Sequence, residues 1–223
     1  MIYTSTKELI DDLDKHGYLV RIKQEVDPNL EMAEIQRRVY AANGPAIFFE
    51  NVKGSPFPAA SNIYGTLERA RFIFRNTLSK MQRLIELNAD PFQFLKSPHK
   101  YIGLPATLWH MLPKKVSTGS VFQNTTTIDQ LPGIKCWPDD GGPFILLPQV
   151  FSEDPVRPGI MRSNLGMYRI QLSGNDYIPN KEIGLHYQIR RDIGGHHAAA
   201  IKKNQPMRVS VFVGGPPSHA FAA

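Results

Sequence analysis

The 223 residues are 42% hydrophobic and 21% charged, an ordinary balance for a globular chain long enough to bury one or two cores. No apolar run approaches the roughly 20 residues of a membrane-spanning helix, and no basic stretch followed by an apolar one opens the chain, so neither a transmembrane segment nor a signal peptide is expected. A single cysteine, Cys136, excludes an internal disulfide and suits the cytoplasm, the expected compartment.

The net charge of +6 is unevenly spread. Residues 1–50 hold 6 basic against 9 acidic side chains, residues 51–120 hold 10 against 3, and residues 121–223 hold 10 against 8. The basic segment places Arg69, Arg71, Arg75, Lys80 and Arg83 at helical spacing beside Phe72 and Phe74. That pattern reads as the solvated face of an amphipathic helix, and no nucleic-acid partner is expected.

In chain order, Ser5-Thr6-Lys7-Glu8 fits a capping box, and Leu9, Ile10 and Leu13 supply the apolar stripe of a helix ending near Gly17. Residues 18–22 read as a strand. Asp27-Pro28 predicts a helix start, with Ile35 and Val39 on its buried side and an end near Asn43-Gly44. Residues 45–50 and 59–63 read as strands. Thr66 predicts the cap of the longest helix, with Leu67, Ala70, Phe74, Leu78, Met81 and Ile85 on one stripe. Residues 88–115 read as an irregular, proline-punctuated connector. Strands are expected near 116–129, 144–151, 159–173, 184–190 and 207–213, and a short helix over 196–203. Serine after Pro216-Pro217 is a further helix-start signal. The first part is therefore a small α/β region, and the second an antiparallel sheet or open barrel.

Two polar strands carry the chemistry. With a period of two, Met167, Arg169 and Gln171 share a face, as do His186, Gln188 and Arg190. If the strands pair, Arg169, Gln171, His186 and Gln188 form one polar surface suited to a phosphate or carboxylate, since unpaired charge inside a sheet is costly. The alternative is that Arg169 and His186 are edge-strand residues reaching solvent. Asn164 has the wrong parity for this face unless the chain bends at Gly166. The adjacent pair His196-His197 lacks the spacing that puts two ligands on one helical face, and Asp139-Asp140-Gly141-Gly142 reads as a turn.

Asn164-Leu165-Gly166-Met167-Tyr168-Arg169, with His186-Tyr187-Gln188 and Arg191-Asp192, resembles the signature of UbiD-type decarboxylases, which use prenylated flavin mononucleotide. Residues 31–35, 44–51, 137–142 and 213–217 resemble further blocks of that family in the same order. The resemblance implies an α+β chain: a small N-terminal α/β region, residues 1–115, then a split β-barrel of flavin-binding type, residues 116–223. It implies that Met167, Tyr168, Arg169, His186, Tyr187, Gln188, Arg191 and Asp192 line prenylated FMN. It also implies that Asn164 and His186 hold a metal, usually manganese (Mn2+), with K+ as a second candidate cation. Arg169 would be catalytic and pair with the substrate carboxylate.

The implied reaction is reversible, non-oxidative decarboxylation of an aromatic acid, such as a 4-hydroxybenzoate-like acid of quinone biosynthesis, or of an α,β-unsaturated acid. A flavin prenyltransferase would supply the cofactor, and the complete enzyme would be a homo-oligomer. In that family a third metal ligand, a glutamate, and an acidic proton donor follow the Gly-Gly-Pro-Pro region, and neither occurs before Ala223. The expectation is therefore a truncated, flavin-side half, inactive alone. The competing reading is a non-catalytic partner that keeps the flavin-binding fold.

Overall fold

The structure, a computed structural model, describes residues 3–112, 114, 116–190 and 192–223. The chain divides into two compact units, one of residues 67–125 and one joining residues 3–66 to 126–223.

The larger unit opens with α1 (Thr6–Lys15), where the Ser5 hydroxyl accepts the Glu8 amide at 3.3 Å and the Glu8 carboxylate accepts the Thr4 amide at 2.8 Å. These bonds satisfy donors that the first helical turn leaves open. Leu9, Ile10 and Leu13 are buried. Strand β1 (Leu19–Val26) runs parallel to β2 (Ala46–Val52), with α2 (Glu31–Ala41) between them in sequence, and β3 (Ala59–Ser61) is antiparallel to β2. Val26, Met32, Ile47, Phe49 and Val52 form the core here, with Ile35 and Val39 packed against it.

The second helix begins at Glu31, not after Asp27-Pro28. The Asp27 carboxylate is taken up by the Asn29 amide at 2.8 Å and by Lys53 at 2.9 Å. The Pro28 carbonyl and Leu30 amide bond instead to the backbone of Lys135, so a tertiary pairing draws these residues out of the helix.

In the smaller unit the expected single long helix is two, α3 (Leu67–Ile73) and α4 (Leu78–Ala89). Backbone bonds tighten to the three-residue step at Arg75 and Thr77, and the Arg75 guanidinium folds back over the Phe72 ring at 3.9 Å. The segment expected as an irregular connector holds α5 (Gln93–Lys96) and α6 (Leu104–Met111); Pro105 lies in the first turn of α6, where its missing N–H costs nothing. No strand forms over 116–129 among the described residues: short 3-10 turns occupy Ser120–Phe122 and Ile128–Gln130. Thr126 there donates to Gln130 at 2.7 Å, a local side-chain bond that competes with strand pairing.

The remaining strands belong to the larger unit. They are β4 (Phe144–Ile145), β5 (Gln149–Glu153), β6 (Ser163–Met167), β7 (Arg169–Gln171), β8 (Gly184–His186) and, after α7 (Asp192–Lys202), β9 (Val209–Phe212); α8 (Pro217–Ala222) follows. They form two antiparallel three-stranded sheets, ordered β4-β7-β8 and β6-β5-β9. No closed barrel is present among the described residues. Val150, Ile170, Leu172 and Ile193 are the buried centre of this part, with Tyr168 and Tyr187 packed against them.

The run 159–173 is broken at Tyr168, which ends one sheet's strand and starts the other's. Gly166 permits the break: a Cβ there would lie 2.6 Å from the Tyr168 hydroxyl. Helix α7 starts four residues earlier than expected, and Gly194 lets its first turn press on the Ile189 carbonyl, where a Cβ would collide with backbone.

Candidate active site

The site is the polar face of sheet β4-β7-β8. Arg169 and His186 are direct partners across the β7–β8 ladder, and Phe144 is the partner of Gln171 across β4–β7. Residues opposite one another in a ladder project to the same side, so Phe144, Arg169, Gln171 and His186 share one face. The Arg169 guanidinium lies over the Phe144 ring at 3.9 Å, and the His186 ring meets the same ring edge-on at 5.5 Å. Phe144 is thus a buried apolar floor and the two cationic-type side chains are its outer layer.

Arg169 is on the central strand and His186 on an edge strand, yet neither side chain is buried, contrary to the expectation of buried polar strands. Both are exposed, the Arg169 side chain to 42%. Burial is avoided because the charge is met by a neighbour instead. Arg169 Nη2 donates to Asp140 at 3.2 Å, and the Asp140 carboxylate also accepts the amides of Cys136 and Trp137 at 3.3 and 3.1 Å. Desolvation by itself would raise the Asp140 carboxyl, but the Trp137 amide and the Arg169 guanidinium outweigh it and hold the group below the usual carboxylate range. Burial and the Asp140 charge push the neighbouring Cys136 thiol upward. Both two-pronged edges of the Arg169 guanidinium, Nε–Nη2 and Nη1–Nη2, include Nη2, so a ligand carboxylate held by either edge shares that nitrogen with Asp140.

The tautomer of His186 follows from its surroundings. Gln171 donates its amide nitrogen to the Ser173 carbonyl at 3.0 Å, so its amide oxygen is what faces His186 Nε2, also at 3.0 Å. A carbonyl oxygen requires a donor, so Nε2 carries the proton and the Nδ1 lone pair is available to a cation. Gly141 and Gly142 make this possible from behind, since a Cβ at either would press on the Gln171 amide nitrogen at 3.3 Å.

Asn164 lies on β6, in the other sheet, opposite Ser152. Its amide nitrogen donates to the Tyr168 hydroxyl at 3.3 Å, and the pairing register slips by one residue between the β5–β6 and β4–β7 ladders, where the chain passes Tyr168. Met167 closes β6, is 42% exposed, and is not on the Arg169 strand. Strand β8 stops at His186, so Gln188 and Arg190 are exposed beyond its end and off the shared face. Tyr187 turns inward, edge-on to Tyr168 at 6.5 Å, and bonds to His197 on α7. Asp192 opens α7, and Arg191 lies outside the described residues. Among the described residues no three His, Cys, Asp or Glu side chains converge as a metal cluster.

A cavity of about 540 Å³ runs beside this region, lined by Arg157, Arg162, Ser163, Arg190, Asp192 and His196 among others. Its size is that of a small-molecule site, and its three guanidinium groups are partly offset by the carboxylates of Asp154 and Asp192. Residue pattern did not point to Asp140, Phe144 or His197 as members of this region. The only signal was the Asp-Asp-Gly-Gly turn and the tandem histidine, both of which local spacing reads as structural.

The sequence matches the family described as the 3-octaprenyl-4-hydroxybenzoate carboxy-lyase N-terminal domain over residues 10–87, and the Rift-related domain of the same carboxy-lyase over residues 113–223. It is 36% identical over 221 residues to an uncharacterized protein of Chlamydia trachomatis, covering 96% of this chain and 36% of that one. It is 34% identical over 225 residues to a 4-hydroxybenzoate decarboxylase subunit of Chlamydia pneumoniae, covering 97% of this chain and 34% of that one. The chain therefore spans about a third of the length of these relatives.

The fold is similar to that of the vanillic acid decarboxylase of Sedimentibacter hydroxybenzoicus in closed form, with a TM-score of 0.76 and 24% identity over all of this chain and 45% of that one. It is also similar to an evolved dimeric form of HmfF from Pelotomaculum thermopropionicum solved with prenylated FMN (TM-score 0.69, 19% identity, 97% and 45% covered).

Proposed function

This chain belongs to the UbiD carboxy-lyase family, and we propose that it carries the flavin-side part of a prenylated-FMN-dependent decarboxylase. The observation that carries the reading is the Arg169–His186 pair, which sets an exposed guanidinium, a group suited to a carboxylate, beside an imidazole whose Nδ1 is left for a cation. The substrate is an aromatic acid of 4-hydroxybenzoate type, as the similarity to the Chlamydia pneumoniae decarboxylase suggests, with an α,β-unsaturated acid as the wider class. A quinone-pathway acid fits the family's description.

The residues present suit the cofactor in part. Asn164 Oδ1 and His186 Nδ1 are an oxygen and an imidazole nitrogen, a donor set that manganese accepts, and Mn2+ (or K+) beside a flavin phosphate would offset its charge. Two donors do not complete such a site, so a further ligand is required. Met167, Tyr168, Tyr187, Gln188, Arg191 and Asp192 are the remaining candidates to line the flavin. Prenylated FMN, when bound, supplies the chemistry by which a carboxylate leaves as CO2. The chain's own part is to bind and orient: Arg169 would hold the substrate carboxylate through its guanidinium, and Asp140 would keep the guanidinium turned onto Phe144.

The two sheets would be portions of a split barrel formed by residues 116–223, with residues 1–115 as a separate N-terminal α/β domain. A flavin prenyltransferase would supply the cofactor, and the complete assembly would be a cytoplasmic homo-oligomer. A second reading, a non-catalytic partner that keeps the fold, is favoured by the Asp140 carboxylate, which already meets Arg169 Nη2 and would compete with a ligand carboxylate. Co-expression with a flavin prenyltransferase and the complementary C-terminal region of a chlamydial relative separates them. CO2 release that is abolished in Arg169→Ala supports the enzyme; flavin retention with no CO2 release from any aryl or unsaturated acid supports the partner.

A further inference from the structure

The tandem histidine of α7 has no part in the function proposed so far, yet the contacts of both residues lead to neighbours of Asn164. His196 Nδ1 meets the Ser152 hydroxyl at 2.9 Å, and Ser152, 1% exposed, is the direct ladder partner of Asn164. Opposite residues project to the same face, so α7 covers the face that bears the Asn164 side chain. His197 Nδ1 bonds to the Tyr187 hydroxyl, with its ring edge-on to that tyrosine at 5.9 Å. Tyr187 in turn stands edge-on to Tyr168, whose hydroxyl takes the Asn164 amide nitrogen at 3.3 Å. One helical dipeptide thereby reaches the same asparagine by two routes, one through each sheet.

We propose that His196 and His197 are positioning residues that fix the Asn164 carboxamide, His196 by holding Ser152 across the ladder and His197 by holding Tyr187 against Tyr168. With its nitrogen engaged by Tyr168, Asn164 keeps its oxygen as the atom that would bind a cation. Adjacent residues on a helix point about 100° apart, which is why the pair can address two sheets at once while being unable to share a metal on one face. Ile193, fully buried one turn earlier, anchors α7 so that both imidazoles arrive at fixed places. The inference rests on the reading of Asn164 as a cofactor-side ligand, but its geometry does not.

The test is the side-chain amide signal pair of Asn164 in proton–nitrogen NMR spectra of the 223-residue chain, assigned by its loss in Asn164→Asp. His197→Ala, Tyr187→Phe and His196→Ala are each expected to shift that pair, with His197→Gln restoring it in part because a carboxamide oxygen can still accept the tyrosine proton. Ala200→Gly, which loosens the same helix at a buried residue beyond the two histidines, serves as the stability control and is expected to leave the signals in place. In Mn2+ titrations with FMN present, His197→Ala is expected to weaken the response by about tenfold, the usual scale for a group that orients a metal ligand. Unmoved Asn164 signals in all three variants, or equal movement in Ala200→Gly, overturn the inference. Shifted signals in a chain that binds neither Mn2+ nor FMN uphold the positioning role and remove the flavin reading instead.

Discussion

Arg169 stands opposite His186 across the β7–β8 ladder, and both side chains lie on the ring of Phe144. The arrangement keeps an apolar ring buried at 4% exposure beneath two groups that remain open to a ligand. Stacking of the guanidinium on an aromatic ring in a half-exposed place contributes about 0.5–1 kcal/mol. A double-mutant cycle of Phe144→Leu with Arg169→Ala is therefore expected to show a coupling of about that size in urea denaturation. Additive effects of the two changes would mean that the ring does not hold the arginine.

The depressed Asp140 carboxyl makes a pH prediction with a definite sign. A carboxyl whose folded value lies below its unfolded value stabilises the fold fully above the unfolded value of about 4, and that contribution is lost as pH falls through the lower folded value. Between about pH 6 and pH 3 the wild-type chain is expected to lose more of its urea midpoint than Asp140→Asn does. Parallel curves for the two would show that the acid is not linked to folding.

Gly194 and Gly195 are neighbours in α7 with opposite demands. A Cβ at Gly194 would collide with the Ile189 carbonyl oxygen, a backbone atom that cannot move aside cheaply, whereas Gly195 has nothing within 4 Å. Gly194→Ala is expected to lower the thermal midpoint markedly, by the equivalent of roughly 1–3 kcal/mol. Gly195→Ala is expected to raise stability by up to about 1 kcal/mol, since alanine loses less backbone freedom than glycine in a helix. Thermal denaturation followed by circular dichroism ranks the two, and the reverse order would contradict the packing described for this helix.

The pairing of the two polar strands is legible in the sequence because alternation is a backbone property: residues 169 and 171, and 186, carry their polarity on one face, and that face exists. What stands beneath and beside it is not. Phe144 and Asp140 come from a two-residue strand and a turn whose placement depends on the tertiary ladder β4–β7, which no local spacing reports. The break falls at Tyr168, two residues beyond the glycine expected to make it, because Gly166 serves as space for the Tyr168 ring while the chain changes sheet at the tyrosine. The second helix starts later than its local signal for a similar reason: Asp27-Pro28 is a good start, but backbone bonds to Lys135, more than a hundred residues away, claim the segment first. No strand forms over 116–129 among the described residues because threonine-rich β propensity has no meaning without a partner strand.

In the proposed function, Asn164 and His186 hold a cation beside a flavin phosphate, and Arg169 stands next to the flavin. Paramagnetic Mn2+ added with FMN to the isotope-labelled chain tests it directly, because broadening of nearby signals is seen even when binding is weak. The account predicts selective broadening of the Asn164 and His186 side-chain signals, FMN-dependent shifts over Met167–Arg169 and Tyr187, and loss of the shifts in Arg169→Ala. Broadening centred on other residues, or FMN shifts that persist unchanged in Arg169→Ala, would contradict it.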